Sequence, residues 1–281
     1  MPLNADYLRD LEFPPLETEI GDCDAMLYAL SIGLGRDPLD AEELPYVYEA
    51  GLRIFPTMPL VVGHPGNWMI DPRTGITRSM VVHGAQRLWT HGPLSVGSPI
   101  VIRNRITDLF DKGEKGAIIL IEREIRDRSS NSLLSRGESW TFCRADGDFG
   151  GASSPTYDFA ATPARPADAS VDITTRADAA LLYRLNHDRN PIHADPAAAG
   201  KAGFDRPILH GLCTFGVAAV ALSRTMKDGT LASIEARFSR PVFPGETISV
   251  DIWREGGEAR FRARIAERNI VVLDGGSATF V

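Results

Sequence analysis

The sequence predicts an α+β protein of two similar halves, each an antiparallel sheet curled around a helix. Three observations predict it. The chain repeats itself weakly: "DAMLYALSIG" (24–33) returns as "DAALLYRLNHD" (178–188), and "GPLSVGSPIVI" (92–102) returns as "RPVFPGETISV" (240–250). Both halves then alternate polar and apolar residues, as half-buried antiparallel strands do. Finally, "GLCTFGVAAVALSRTM" (211–226) is apolar nearly all round, the mark of a helix buried on every side, which a curled sheet would enclose.

In chain order, Asp24 offers the start of a first helix, with apolar residues at helical spacing behind it. The run "TMPLVVGHPGNWMI" from Thr57 is broken by Pro59, Gly63 and Pro65, and supports only a short or irregular helix. Strands follow in "SPIVIRNRITDLF", "GAIILIEREIRD" and "LLSRGESWTFC", with "DKGEKG" as a turn. Residues 144–172 are crowded with Gly, Ala, Ser, Pro and Asp, lack a steady period, and read as a linker. The organisation expected is therefore 1–143, linker 144–172, and 173–281.

The second half opens with a helix starting at Asp178 and carrying Tyr183 and Leu185. Pro191 disfavours helix at Asn190, so this helix is expected to end near Asp188. Asp195 followed by Pro196 starts another, as an N-cap and a first-turn proline. The buried helix comes next, then strands in "ASIEARFSRPV", "ETISVDIWREG", "ARFRARIAE" and "IVVLDGGSATFV", with "REGGEA" as a turn.

Composition narrows the function classes. The 281 residues are 43% hydrophobic and 24% charged, with a formal net charge of −7. That balance suits a soluble protein and argues against a nucleic-acid partner, which needs clustered cations. The start, "MPLNADYLRDLEFPPLE", reads as neither secretory signal nor transit peptide, and no apolar run is long enough to span a membrane. A cytoplasmic or similarly reducing location is expected. Cys23, Cys143 and Cys213 are far apart and odd in number, and read as three buried free thiols.

The chemistry concentrates in "YRLNHDRNPIHADP" (183–196). Asp188 and His193 fall on a loop between two helices, where both side chains can turn toward one point. An Asp and a neutral His facing one pocket can hold a water and move its proton. Asn190 adds an amide that can lock the loop or the water. The plainer reading makes Asp188 a helix cap, His193 a packing residue and Asn190 a turn residue. In "PILHGLCTFG", His210 and Gly211 sit at the mouth of the buried helix, whose free N–H groups and positive dipole end can hold a developing oxyanion. One such donor is worth about 3 kcal/mol of barrier.

These segments, followed by "RFSRPVFPGETISVDIW", resemble in order and spacing the MaoC-like type 2 (R-specific) enoyl-CoA hydratases, in the double-hotdog form found in peroxisomal multifunctional enzymes. "FPPLE", "LYALSIG", "YVYEAG", "FPTM", "VVHGAQ" and "LFDKGEKGAII" extend the likeness through the first half. The resemblance implies a tandem hotdog with one active site, and a hydro-lyase that adds water to trans-2-enoyl-CoA to give (3R)-3-hydroxyacyl-CoA. It implies Asp188 and His193 as the catalytic pair and the Gly211 N–H as donor to the thioester oxygen. It carries substrate contacts to His83, Gly84, Lys112, Asn190 and Phe238. No metal and no dissociable cofactor is expected, CoA being part of the substrate, and the expected assembly is a homodimer.

Laying Tyr183 on Tyr28 puts Gly33 and Pro38 where Asp188 and His193 stand, so the first half lacks the pair. Its broken helix then implies room for a long or bulky acyl chain. One departure stands out: His187 occupies a position where the family usually has glycine, and is expected to point to solvent. A metal site from His187, Asp188, His193 and His210 has no familiar spacing behind it. The competing functions are a 3-hydroxyacyl dehydratase acting on acyl carrier protein and a non-catalytic acyl-CoA binder, the latter disfavoured by the intact pair.

Overall fold

The computed structural model describes residues 3–153, 158–227 and 229–281. Five strands come from the first half: β1 (Leu16–Thr18), β2 (Val81–Thr90), β3 (Ile100–Asp111), β4 (Ala117–Asp127) and β5 (Leu133–Cys143). Five come from the second: β6 (Ala169–Thr174), β7 (Leu231–Phe238), β8 (Thr247–Glu255), β9 (Glu258–Ile265) and β10 (Ile270–Phe280). Together they form one antiparallel ten-stranded sheet in the order β1-β3-β4-β5-β2-β7-β10-β9-β8-β6. Each half repeats the other about the β2–β7 seam, which makes the weak sequence repeat a true duplication. Strand β6 begins inside the stretch read as linker, and pairs with β8 from Ala169 onward.

Among the described residues six α-helices accompany the sheet: α1 (Ala5–Arg9), α2 (Asp22–Ser31), α3 (Leu44–Val47), α4 (Ala179–Tyr183), α5 (Pro196–Lys201) and α6 (Gly211–Thr225). The run read as all-round apolar is α6, and its residues from Cys213 to Leu222 are all buried, against β6, β7 and β8. Its first-half counterpart is broken as its prolines and glycine require, into single 3₁₀ turns at Met58–Leu60 and Trp68–Ile70. Gly216 lets α2 come close: a Cβ there would lie 2.5 Å from Ile32 Cγ2. The main core runs through both halves without a break, so neither half encloses its own.

The seam is also tied electrostatically. Arg87 on β2 pairs with Glu138 on β5 at 2.9 Å and crosses to Glu235 on β7 at 3.1 Å, all three largely shielded from solvent. Cys143 and Cys213 are buried free thiols as expected. Cys23 is not: it lies exposed in the first turn of α2, where its neighbours Asp22 and Asp24 face water. Among the described residues no helix is long and apolar enough to cross a membrane.

Candidate active site

The helix carrying Tyr183 stops there, five residues short of the expected Asp188. Asp178 does not cap its start; its carboxylate turns instead to Arg176, at 2.7 Å. The chain leaves α4 through Asn186, buried and bonded by its amide to Tyr183 O and to Ser31 Oγ of the first half. His187 follows with φ of 72°, and its side chain is exposed. A left-handed residue here costs a non-glycine roughly 1 kcal/mol, which accounts for the glycine the family resemblance led one to expect.

That turn aims Asp188. Its Oδ1 accepts the Asn190 N–H at 3.1 Å, and Asn190 Oδ1 in turn accepts the Ile192 N–H at 3.3 Å. A 3₁₀ turn over Pro191–His193 then folds His193 inward until only 7% of it is exposed. Asp195 caps α5 by accepting the Ala197 N–H at 2.8 Å, as Asp-Pro predicts. His193 Nδ1 sits 2.8 Å from Ile208 O; since a carbonyl only accepts, the proton is on Nδ1 and Nε2 keeps its lone pair.

His210, directly before α6, completes the cluster. Its ring stacks on His193 with centroids 3.7 Å apart, and its Nε2–H donates to the Asp188 carbonyl at 3.2 Å. Ligand-type atoms of Asp188, His193 and His210 all lie within 4.8 Å of one another. All three groups already have a backbone partner: Asp188 the Asn190 N–H, His193 the Ile208 carbonyl and His210 the Asp188 carbonyl.

Electrostatics leave both members of the pair as proton acceptors at neutral pH. Burial alone would raise the Asp188 carboxyl, but the His210 and His193 imidazoles and the Asn190 N–H outweigh it and hold it below its ordinary value. Burial lowers His193, although its bond to Ile208 O and the nearby Asp188 charge oppose the shift. His210 is pushed well down by burial and by His193. At neutral pH the site thus holds one carboxylate and neutral imidazoles, all proton acceptors.

A cavity of about 1110 Å³ opens on this cluster. Asp188, Asn190, His193, Gly211, His83 and Phe238 all line it. Gly211 is the first residue of α6, and among the described residues no backbone acceptor takes its N–H. A Cβ there would lie 3.1 Å from Phe238 Cε1, so a side chain would have to push the Phe238 ring aside. Phe238 also packs on His83 at 4.4 Å, and burial takes the His83 imidazole down to about 4. Two expected contacts lie elsewhere. Gly84 forms a bulge in β2, with Trp140 O only 3.1 Å from a would-be Cβ, and Lys112 sits in the β3–β4 turn; neither is part of the cavity wall.

Sequence reasoning passed over part of the wall: Gln86, Asn104, Arg123 and His64 from the first half line the same cavity. A signal was present. On β4 the inward series Ile119, Ile121, Arg123, Ile125 places a cation where alternation calls for an apolar residue, and on β3 Asn104 interrupts Ile100, Ile102, Ile106 in the same way.

The chain matches two family models: a MaoC-like domain over residues 158–274 and the MFE-2 hydratase 2 N-terminal domain over 19–145. It is 38% identical to "3-hydroxyacyl-thioester dehydratase Y" of Mycobacterium tuberculosis, over 95% of each chain. It is 33% identical to "Enoyl-CoA hydratase 2, peroxisomal" of Arabidopsis thaliana, over 97% of this chain and 94% of that one. A MaoC-like dehydratase from Phytophthora capsici superposes with a TM-score of 0.86 at 30% identity, over 99% of both chains. With its duplicated sheet and with both halves matched, the chain belongs to the MaoC-like hydratases of the double-hotdog fold.

Proposed function

We propose that this protein is a hydro-lyase that reversibly adds water to trans-2-enoyl-CoA, giving (3R)-3-hydroxyacyl-CoA. One observation carries the reading: Asp188 and His193, both proton acceptors at neutral pH, converge beside the free N–H end of α6 at one cavity. A water held between the carboxylate and His193 Nε2 loses a proton to one of them as its oxygen bonds to C3 of the substrate. The C2–C3 double-bond electrons move onto the thioester oxygen, which the Gly211 N–H stabilises. The proton taken up by the pair is then delivered to C2, so that one molecule of water is added to a single face. The pair shares its protons, and its two members exchange donor and acceptor roles between hydration and dehydration.

His83, Asn190 and Phe238, which line the cavity, are assigned to holding the thioester, and Gly84 supports them by keeping the β2 bulge behind His83; Lys112, in the β3–β4 turn off the cavity wall, is given no part in holding it. The acyl chain occupies the first-half end of the cavity, where the 3₁₀ turns leave room. The acyl-accommodating unit is 1–143, and the catalytic one, expected over 173–281, starts with β6 at Ala169. No dissociable cofactor is needed; the assembly is a homodimer, and the setting is cytoplasmic fatty-acyl oxidation. The relative from Mycobacterium tuberculosis is named for the dehydration direction, as a 3-hydroxyacyl-thioester dehydratase, which suits a reversible enzyme. Purified protein is tested on a panel of trans-2-enoyl-CoAs by loss of the enoyl-thioester absorbance, with the product's configuration determined. Hydration to the (3R) product is expected; a (3S) product, or no turnover at any length, refutes the assignment.

A further inference from the structure

The first-half end of the cavity holds a cation, Arg123, that no carboxylate among the described residues pairs with. Arg123 lies on the inner face of β4, in register with Asn104 of β3 on one side and Gly137 of β5 on the other. Its Nε donates to Asn104 Oδ1 at 2.9 Å and its Nη1 to Leu60 O at 2.6 Å, while Asn104 Nδ2 donates to Gly63 O at 3.3 Å. These neutral acceptors fix the plane of the guanidinium. Among the described residues nothing accepts from Nη2, and no carboxylate pairs with Arg123. The outer face of the same strand is the opposite case: Glu122 is shared by Arg105 and Arg136, and Glu124 pairs with Arg126.

Burial lowers Arg123 to about 10, so it stays charged at neutral pH. A sequestered cation that only neutral groups contact is costly unless an anion meets it, and guanidinium matches carboxylate in a two-pronged geometry. The cavity is continuous from Arg123 to the catalytic cluster, and His64 on its wall feels both the Arg123 and the Asp188 charges. A purely aliphatic tail would leave the guanidinium stripped of water and unmatched.

We propose that Arg123, held by Asn104 and the Leu60 carbonyl, is a binding site for a second, free carboxylate on the acyl chain, so that the enzyme prefers ω-carboxy-enoyl-CoA thioesters. The proposal rests on the reading that the acyl chain fills this end of the cavity. The test compares kcat/KM for trans-2-enoyl-CoAs matched in length, one ending in methyl and one in carboxylate, over a series from short to long. Calorimetry on the saturated acyl-CoA counterparts reads the same preference without turnover.

Wild type should favour the carboxylate member about tenfold or more at the length that reaches Arg123. Arg123→Met should abolish that preference while still hydrating the methyl-ended substrate, and Arg123→Lys should restore part of it. A carboxylate preference in calorimetry with no hydration of either member supports the site and refutes the hydratase reading instead. No preference for carboxylate at any length in wild type overturns the proposal. So does an equal loss for both members in Arg123→Met, the outcome expected if the guanidinium serves the CoA phosphates or merely holds Leu60.

Discussion

Tyr28 on α2 and Tyr183 at the end of α4 hold matching positions in the two halves, and their rings lie 6.2 Å apart. After each, the chain takes a left-handed turn, at Gly33 with φ of 99° and at His187 with φ of 72°. From there the halves part. The first runs outward through Pro38 to Leu39, which is 89% exposed. The second runs inward through Asp188 to a buried His193. After matching helices, the chain thus makes a surface loop in one half and, in the other, the loop to which the proposed function assigns the proton handling. The halves differ again behind the sheet: the second is filled by the long helix α6, whereas the first has only short 3₁₀ turns in its place. Under the proposed function, duplication lets one half keep the chemistry while the other takes over substrate shape.

The sharpest way to break this comparison is to disable the second half alone. His193→Ala is expected to lower the hydration rate about a hundredfold or more while circular dichroism and gel filtration stay native. A rate near wild type would remove His193 from the mechanism. Next in size is the contact through which the two halves' helices meet. Gly216→Ala puts a Cβ against Ile32, and should cost about 1–3 kcal/mol in chemical denaturation, with activity per folded molecule retained.

Protonation tests whether the buried imidazoles are held neutral. His83, His193 and His210 all have folded values below the unfolded 6.5, so below that pH the unfolded chain binds more protons than the folded one. The stability they contribute is full above pH 6.5 and is lost as pH falls from there toward about 4, the value for His83. The melting temperature should therefore fall steadily across that window, and a flat profile would show that these rings are already hydrated. The smallest effect is expected at the turn itself. His187→Gly should stabilise the fold by up to about 1 kcal/mol, and leave the rate unchanged, because His187 is strained and exposed.

Much of this was legible in the sequence because it rests on local rules. Alternation located most of the strands, the all-round apolar run located α6, and Pro59, Gly63 and Pro65 foretold the broken helix. Asp188 and His193 were found because Pro191 and the Asp195-Pro196 start define a loop between them. What escaped depends on distant partners. The end of α4 at Tyr183 is set by Asn186 reaching Ser31 in the other half, which no local signal reports. β2 was not read as a strand, since its bulge at Gly84 upsets the alternation. Arg123 and Asn104 interrupted their apolar series openly, but only the register of β3 on β4 shows that they face each other and the cavity.

The central claim, that chemistry resides in the second-half loop, is tested most directly by the hydration rate of Asp188→Asn. The amide keeps the shape of the carboxylate and an oxygen for the Asn190 N–H, but it can no longer take a proton from water. The division of labour predicts a loss of about a hundredfold or more, with unchanged melting temperature and undiminished binding of a saturated acyl-CoA. A rate within a few fold of wild type would contradict it.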